Sequence, residues 1–233
     1  MSARVTIDGT TIEVADGTTV LQAAAQLGIE TPTLCYSSRL PIAGNCRACL
    51  VEMKGSRVLQ PACYRTCENG MEVRTDTPKV LSARRMVLEL LLADHPSPCT
   101  KAGMPEGCEL ERWAEKLGVT SSRFPRSAPP SEPDLSNPTI RFDAGACILC
   151  TRCIRACDDI QVNDVIGQTG RGFRTRISFD LDNPMGQSTC VSCGECVSAC
   201  PTGALVEAMG VEELSRPPDR LTKSVCPYCG VGC

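Results

Sequence analysis

Ala146 to Gln161 reads ACILCTRCIRACDDIQ, and Thr189 to Pro201 reads TCVSCGECVSACP. Cys147, Cys150, Cys153 and Cys157 form a C-x2-C-x2-C-x3-C run, and Cys190, Cys193, Cys196 and Cys200 repeat it 43 residues later. Two such runs are the spacing of a chain carrying two iron–sulfur cubanes, each run giving three thiolates to one cubane and its fourth to the other. The expected assignment is therefore crossed. Cys147, Cys150, Cys153 and Cys200 hold one [4Fe-4S], and Cys190, Cys193, Cys196 and Cys157 hold its neighbour. Three cysteines with two residues between each wrap one corner of a cube, while the fourth begins a helix pointing away. The alternative is zinc, but tetrahedral zinc sites usually draw on ligand pairs separated by a long loop.

Composition agrees with metal as the organiser. The chain has 233 residues, 18 cysteines and only 3% aromatic residues, so an apolar core short of large rings must be held by something else. Disulfides belong to secreted chains, and Met1 to Gly9 lacks a charged region followed by an apolar one. A reducing, cytoplasmic setting follows. No apolar run approaches the roughly 18 residues of a membrane span. A net charge of -3 gives no basic field for nucleic acid, and no Gly-rich phosphate loop follows a strand.

At the N-terminus, Arg4 to Ile7 and Thr11 to Val14 alternate around Asp8-Gly9, a hairpin signal. A helix is predicted from Thr18 or Thr19 as N-cap through Leu27, ended by Gly28. Cys35, Cys46, Cys49 and Cys63 follow in a C-x10-C-x2-C-x13-C pattern, with a longer first gap than the C-x4-C-x2-C of plant-type [2Fe-2S] proteins. This stretch, CYSSRLPIAGNCRACLVEM to PACYRTCENGM, resembles the N-terminal [2Fe-2S] domain shared by the complex I iron–sulfur subunit, multi-cluster iron-only hydrogenases and NAD-linked formate dehydrogenases. Gly44 and Asn45 suit a loop that brings backbone N–H groups to cluster sulfurs.

A helix predicted over Pro78 to Ala93 ends at His95, the only histidine. There HPSPCTKAGMPEGCEL resembles the H-x3-C-x2-C-x5-C [4Fe-4S] motif of the same families. His95, Cys99 and Cys108 fall on it, whereas Ala102 stands where its middle cysteine belongs. Three outcomes are open: no cluster, a three-iron form, or a borrowed ligand. Cys67 is the candidate for the borrowed thiolate, set against its being a small buried hydrophobe. Glu109 to Leu117 is expected to be helical, and residues 120–138, rich in Ser and Pro, read as a linker. Beyond it the chain resembles ferredoxins and the first cubane run of formate dehydrogenase subunits. There Asp158 follows the fourth cysteine, either tuning the cluster's potential or serving as a solvated helix-end carboxylate. Phe173 to Phe179 reads as a strand, with Arg171, Arg174 and Arg176 on its exposed face.

The tail Cys226-Pro227-Tyr228-Cys229-Gly230-Val231-Gly232-Cys233 resembles the opening of the molybdenum or tungsten bis-pterin domain of formate dehydrogenases. There Cys226, Cys229, Cys233 and a later cysteine would hold a further [4Fe-4S]. The resemblance implies that the 233 residues are the N-terminal part of a longer subunit. The expected fold is α+β. A beta-grasp [2Fe-2S] domain (1–77) is followed by a helical His/Cys segment (78–119), the linker (120–138), a double [4Fe-4S] ferredoxin domain (139–210) and the start of a pterin domain (220–233). By resemblance the chain is the electron-transfer arm of a formate dehydrogenase alpha subunit, with no acid, base or nucleophile of its own. It would join a Mo/W-pterin site to a flavin and NAD-binding subunit. The alternatives are a complex I type or iron-only hydrogenase type subunit, or a zinc-stapled interaction module, which would be colourless.

Overall fold

The computed structural model describes residues 2–102, 104, 107–126, 132–208, 220 and 222–225. Strands β1 (Ser2–Ile7) and β2 (Thr10–Ala15) form the expected hairpin, with Asp8 at φ 47° and Gly9 at φ 85° between them. Two positive φ values in succession make a turn whose twist matches that of the strands. Helix α1 (Val20–Gln26) starts at Thr19, whose Oγ1 accepts from Gln22 N at 3.3 Å while Gln22 Oε1 accepts from Thr19 N at 2.9 Å. Strands β3 (Leu50–Met53), β4 (Gln60–Pro61) and β5 (Met71–Arg74) complete a five-stranded sheet of order β2-β1-β5-β3-β4, with β1 and β5 parallel. Ala3, Val5, Ile7, Val51 and Val73 point inward onto Val20, Ala23 and Ala24 of α1. A sheet face closed by one helix is the beta-grasp arrangement, and α1 fills it with small side chains.

Helix α2 (Pro78–Leu92) begins with proline at its first position and Thr77 as cap. Its inner face packs Leu88 against Leu34, Ala48 and Leu110, the last from α3 (Glu109–Lys116). The same helix buries two charges. Arg84 Nε donates to the Leu50 carbonyl at 2.9 Å, and Glu89 takes Nε and Nη2 of Arg123 at 2.6 and 2.9 Å. The region read as a linker is thus tied down at both ends. Arg123 clamps one end to α2, and at the other Asp134 exchanges backbone hydrogen bonds with Phe142 while its Oδ2 accepts from Met185 N at 2.7 Å.

The second module pairs β6 (Ile140–Phe142) with β9 (Leu205–Glu207), and β7 (Ile166–Thr169) with β8 (Arg176–Phe179). Short helices α4 (Arg152–Arg155) and α5 (Glu195–Ala199) carry the cysteine runs. Phe142 and Phe179 meet edge to face at 5.3 Å in the core. The strand expected from Phe173 starts only at Arg176, because residues 172–174 are spent on a tight turn, with Thr175 N bonded to Gly172 O at 3.1 Å. Arg171, Arg174 and Arg176 are exposed, as expected. The chain is α+β, and no helix among the described residues is long and apolar enough to cross a membrane.

Candidate metal centres

Sheet register builds the first group. Ala62 N donates to the Cys49 carbonyl at 3.0 Å across the β3/β4 ladder, so Cys49 and Cys63 are held together at one end of it. The loop before β3 brings in Cys35 and Cys46. Donation from the Cys46 and Cys63 thiols holds Cys35 down at about 2, and the same bonds push Cys46 and Cys63 up. Cys49 is lowered to about 7 by the Cys63 thiol. Four buried or half-buried thiols sharing protons this closely form a donor set that yields protons to a metal. Four thiolates from one loop and one ladder fit a [2Fe-2S].

Arg84 adds a cation to this group. It lies 3% exposed and within electrostatic reach of Cys49, with burial pulling its pKa down. A positive charge in a dry site favours the reduced, more negative state of a neighbouring cluster. Arg84→Gln is expected to lower the midpoint potential of this centre by on the order of tens of millivolts. A potentiometric titration followed by electron paramagnetic resonance measures it, and an unchanged or raised potential would show that Arg84 is only a structural prop for the Leu50 carbonyl.

In the second module the β6/β9 ladder brings the two cysteine runs together. Phe142 pairs with Leu205, so Cys147, five residues after the one, meets Cys200, five residues before the other. Thr202 Oγ1 ties the two segments by donating to the Ala146 carbonyl at 2.8 Å. Cys147, Cys150, Cys153 and Cys200 line one enclosed cavity with Phe142, Ile177 and Leu205. Burial pushes Cys147 up to about 12. The other group gathers around Cys196, which burial and the charges of Cys190, Cys193 and Cys157 push up to about 12. Cys193 is exposed, so this centre opens on a surface hollow lined by Thr139, Ser192, Gly194, Glu195 and Glu207.

The two runs repeat in backbone as well as in sequence. Leu149 (φ 53°) and Thr151 (60°) flank Cys150 in left-handed conformations, as Ser192 (54°) and Gly194 (81°) flank Cys193. Leu149 N and Ser192 N each donate to the sulfur two residues earlier, Cys147 Sγ and Cys190 Sγ, at 3.4 Å. Left-handed residues other than glycine cost roughly 1–2 kcal/mol each. Here they turn amide groups toward sulfur, and both donor sets fit a cubane.

The His95 segment differs. His95, Cys99 and Cys108 are buried, their ligand atoms all lie within 4.8 Å of one another, and Cys108 Sγ is 3.5 Å from His95 Nε2. Donation from the Cys108 thiol lowers Cys99 to about 4. Ala102 is turned back, its N–H bonded to the Cys99 carbonyl at 2.8 Å, and offers no donor atom. Cys67 does not join them. It packs in the beta-grasp core beside Met71 and Val73, with its N–H on the Thr18 carbonyl at 2.8 Å. Of the two readings left open for Cys67, the borrowed thiolate is therefore corrected to the small buried hydrophobe, because Cys67 is anchored to the α1 entry turn rather than to the loop after Cys99. The donor set does not fit a four-iron cubane. Cys226, Cys229 and Cys233 lie outside the described residues.

Residues that sequence reasoning missed join these groups. On α4, Arg155 Nη2 donates to the Cys35 carbonyl at 2.7 Å and to the Cys150 carbonyl at 3.3 Å, and Nη1 reaches the Pro41 carbonyl. Arg152 forms a fork on Glu109 at 2.7 and 3.0 Å and also donates to the Tyr36 carbonyl. Asn45, expected only as a loop former, donates to Thr151 Oγ1 at 3.2 Å. The first-module loop is thereby seated directly on the first cubane run. Two arginines three residues apart inside a cysteine run were the available signal.

Comparison with known proteins gives two matching domain families. Residues 2–78 match the 2Fe-2S iron-sulfur cluster binding domain, and residues 137–206 match the NADH-quinone oxidoreductase subunit 3, ferredoxin-like domain. The chain is 40% identical to an NADH-quinone oxidoreductase subunit of Rhizobium meliloti (strain 1021), covering 99% of this chain and 27% of that protein. It is 40% identical to the NADP-reducing hydrogenase subunit HndD of Solidesulfovibrio fructosivorans, covering 87% of this chain and 36% of that one. The chain thus spans about a quarter to a third of the length of these curated relatives. Among solved structures, a chain of an NAD+-reducing [NiFe]-hydrogenase in the H2-reduced state superposes with a TM-score of 0.81 at 30% identity, over 90% of this chain and 88% of that one.

Proposed function

Because the chain belongs to the family of iron–sulfur electron-transfer subunits of NADH-quinone oxidoreductase and hydrogenase type, we propose that it is the relay segment of a multi-subunit, NAD-linked oxidoreductase working in a reducing, cytoplasmic setting. Cys35, Cys46, Cys49 and Cys63 would hold a [2Fe-2S]. Cys147, Cys150, Cys153 and Cys200 would hold one [4Fe-4S], and Cys157, Cys190, Cys193 and Cys196 another. Such clusters take up and release single electrons with little reorganisation. The residues of this chain supply thiolates, exclude water and fix the spacing of the centres. The observation that carries the reading is Arg155, which bonds the carbonyls of Cys35 and Cys150 at once and so joins two candidate centres.

The relatives named above favour a subunit of complex I or hydrogenase type over the formate dehydrogenase reading. Formate oxidation at a Mo/W bis-pterin centre rests on the tail CPYCGVGC and on a flavin and NAD-binding partner subunit, and it is the narrower proposal. The test uses the anaerobically purified whole complex, with NADH, hydrogen and formate each offered as reductant while cluster signals are recorded by electron paramagnetic resonance. Appearance of the reduced [2Fe-2S] signal on adding NADH supports the relay. Reduction by formate together with molybdenum or tungsten content supports the narrower reading, and a colourless, iron-free protein would overturn both. Arg155→Ala is expected to keep every cluster but slow equilibration between the [2Fe-2S] and the first cubane several-fold.

A further inference from the structure

The spacing within the His95 group sets it apart from the other cysteine groups. Among the described residues, it is the one set of three or more potential ligands whose donor atoms all lie within 4.8 Å of one another. The candidate cubane groups do not converge so closely, as expected where each thiolate binds a different iron at a different corner. Nor does the [2Fe-2S] group, whose thiolates divide between two irons. A single tetrahedral ion, with metal–sulfur about 2.3 Å and metal–nitrogen about 2.05 Å, places a bound sulfur and nitrogen about 3.6 Å apart. Cys108 Sγ and His95 Nε2 are 3.5 Å apart.

Two further observations agree, at a histidine that is 8% exposed. Ala102 removes the thiolate that a fourth iron would need. The loop is also closed from outside: a Cβ added at Gly203 would lie 2.8 Å from Cys99 Sγ and 3.0 Å from Lys101 N. Gly203 N instead donates to Cys99 Sγ at 3.2 Å, and Lys101 Nζ donates to the Cys200 carbonyl at 2.8 Å.

We propose that His95, Cys99 and Cys108 bind a single tetrahedral divalent ion, zinc, in place of a cluster. One imidazole and two thiolates suit a borderline-soft d10 ion. Water takes the fourth position, and Glu111 fixes the loop by accepting the Cys99 N–H at 3.0 Å. Zinc does not change oxidation state, so this centre carries no electrons. It staples the start of α3 to the loop that packs on Gly203, next to the Cys200 segment. The relay then runs through the contact made by Arg155 and leaves the His95 segment aside.

The full chain, expressed with both iron and zinc supplied and purified anaerobically, is assayed by elemental analysis and zinc-edge X-ray absorption. The expected result is about one chelator-resistant zinc per chain, with about two sulfur and two lighter neighbours. Cys99→Ser should lower zinc at least about fivefold with iron unchanged, and Ala102→Cys should exchange the zinc for about one further cubane of iron. If Cys99→Ser does not fold, the absorption spectrum of the parent decides by itself. Lack of stoichiometric zinc in the parent, or loss of iron in Cys99→Ser, overturns the proposal.

Discussion

Cys200→Ala is expected to empty the centre of the first cysteine run and to spare the centre of its own. Cys200 lies beside Cys147, Cys150 and Cys153 in one enclosed cavity, brought there by the β6/β9 ladder and by the bond from Thr202 Oγ1 to the Ala146 carbonyl. Removing its thiolate leaves one iron of that cubane without a protein ligand, and the loss should approach about four irons per chain. Cys157→Ala should do the reverse, depleting the centre of Cys190, Cys193 and Cys196. Iron analysis with resonance spectra of the dithionite-reduced proteins distinguishes the two variants. If Cys200→Ala instead abolished the signal of the second run, each run would hold its own cubane and the crossed assignment would fail. Ligand loss at the first group should also be the more damaging to stability, because that cavity is closed while the second opens at Cys193.

The second large effect is expected at Arg152, which is 6% exposed and forms a two-pronged ion pair with Glu109 while donating to the Tyr36 carbonyl. One side chain thus holds the ferredoxin module, α3 and the [2Fe-2S] loop together. Arg152→Met leaves the Glu109 carboxylate and the Tyr36 carbonyl without their donor in a largely dry interface. Breaking a buried pair from one side costs about 3–5 kcal/mol, and the part-exposed Glu109 puts the expectation at the lower end, about 3 kcal/mol. Arg152→Lys should recover less than half of the loss, since an ammonium cannot form the fork. Anaerobic denaturant unfolding followed by cluster absorbance measures this. A midpoint within error of the parent would show that the modules are held by packing alone.

Local chemistry made much of this legible in the sequence. The runs of four cysteines, the Asp8-Gly9 hairpin, the Thr19 cap and the helix beginning at Pro78 are all written within short windows. What lay beyond reach was pairing between distant segments. Strand β5 lies parallel to β1 with Val5 opposite Met71, and no local pattern encodes that neighbour. Cys67 illustrates the same limit. The sequence left it open as a borrowed thiolate for the His95 centre, whereas the hydrogen bond to Thr18 and the apolar contacts that keep it in the beta-grasp core are tertiary. The so-called linker looked structureless because its prolines forbid regular elements, yet Arg123 and Asp134 find partners on α2 and β6 through side chains and single bridges.

The arginines of α4 address the first-module loop through the carbonyls of Cys35, Tyr36 and Pro41. A carbonyl oxygen is present whatever the side chain, so the loop's non-ligand positions other than Asn45, whose side chain bonds Thr151 Oγ1, can drift over generations without loosening the seam. The two arginines have no such freedom. Substitutions accumulating in descendants of this chain should therefore fall unevenly across the contact, abundant between Cys35 and Gly44 and scarce at Asn45, Arg152 and Arg155, giving a lineage a cheap way to vary the outer rim of the loop while the seam beneath it stays fixed.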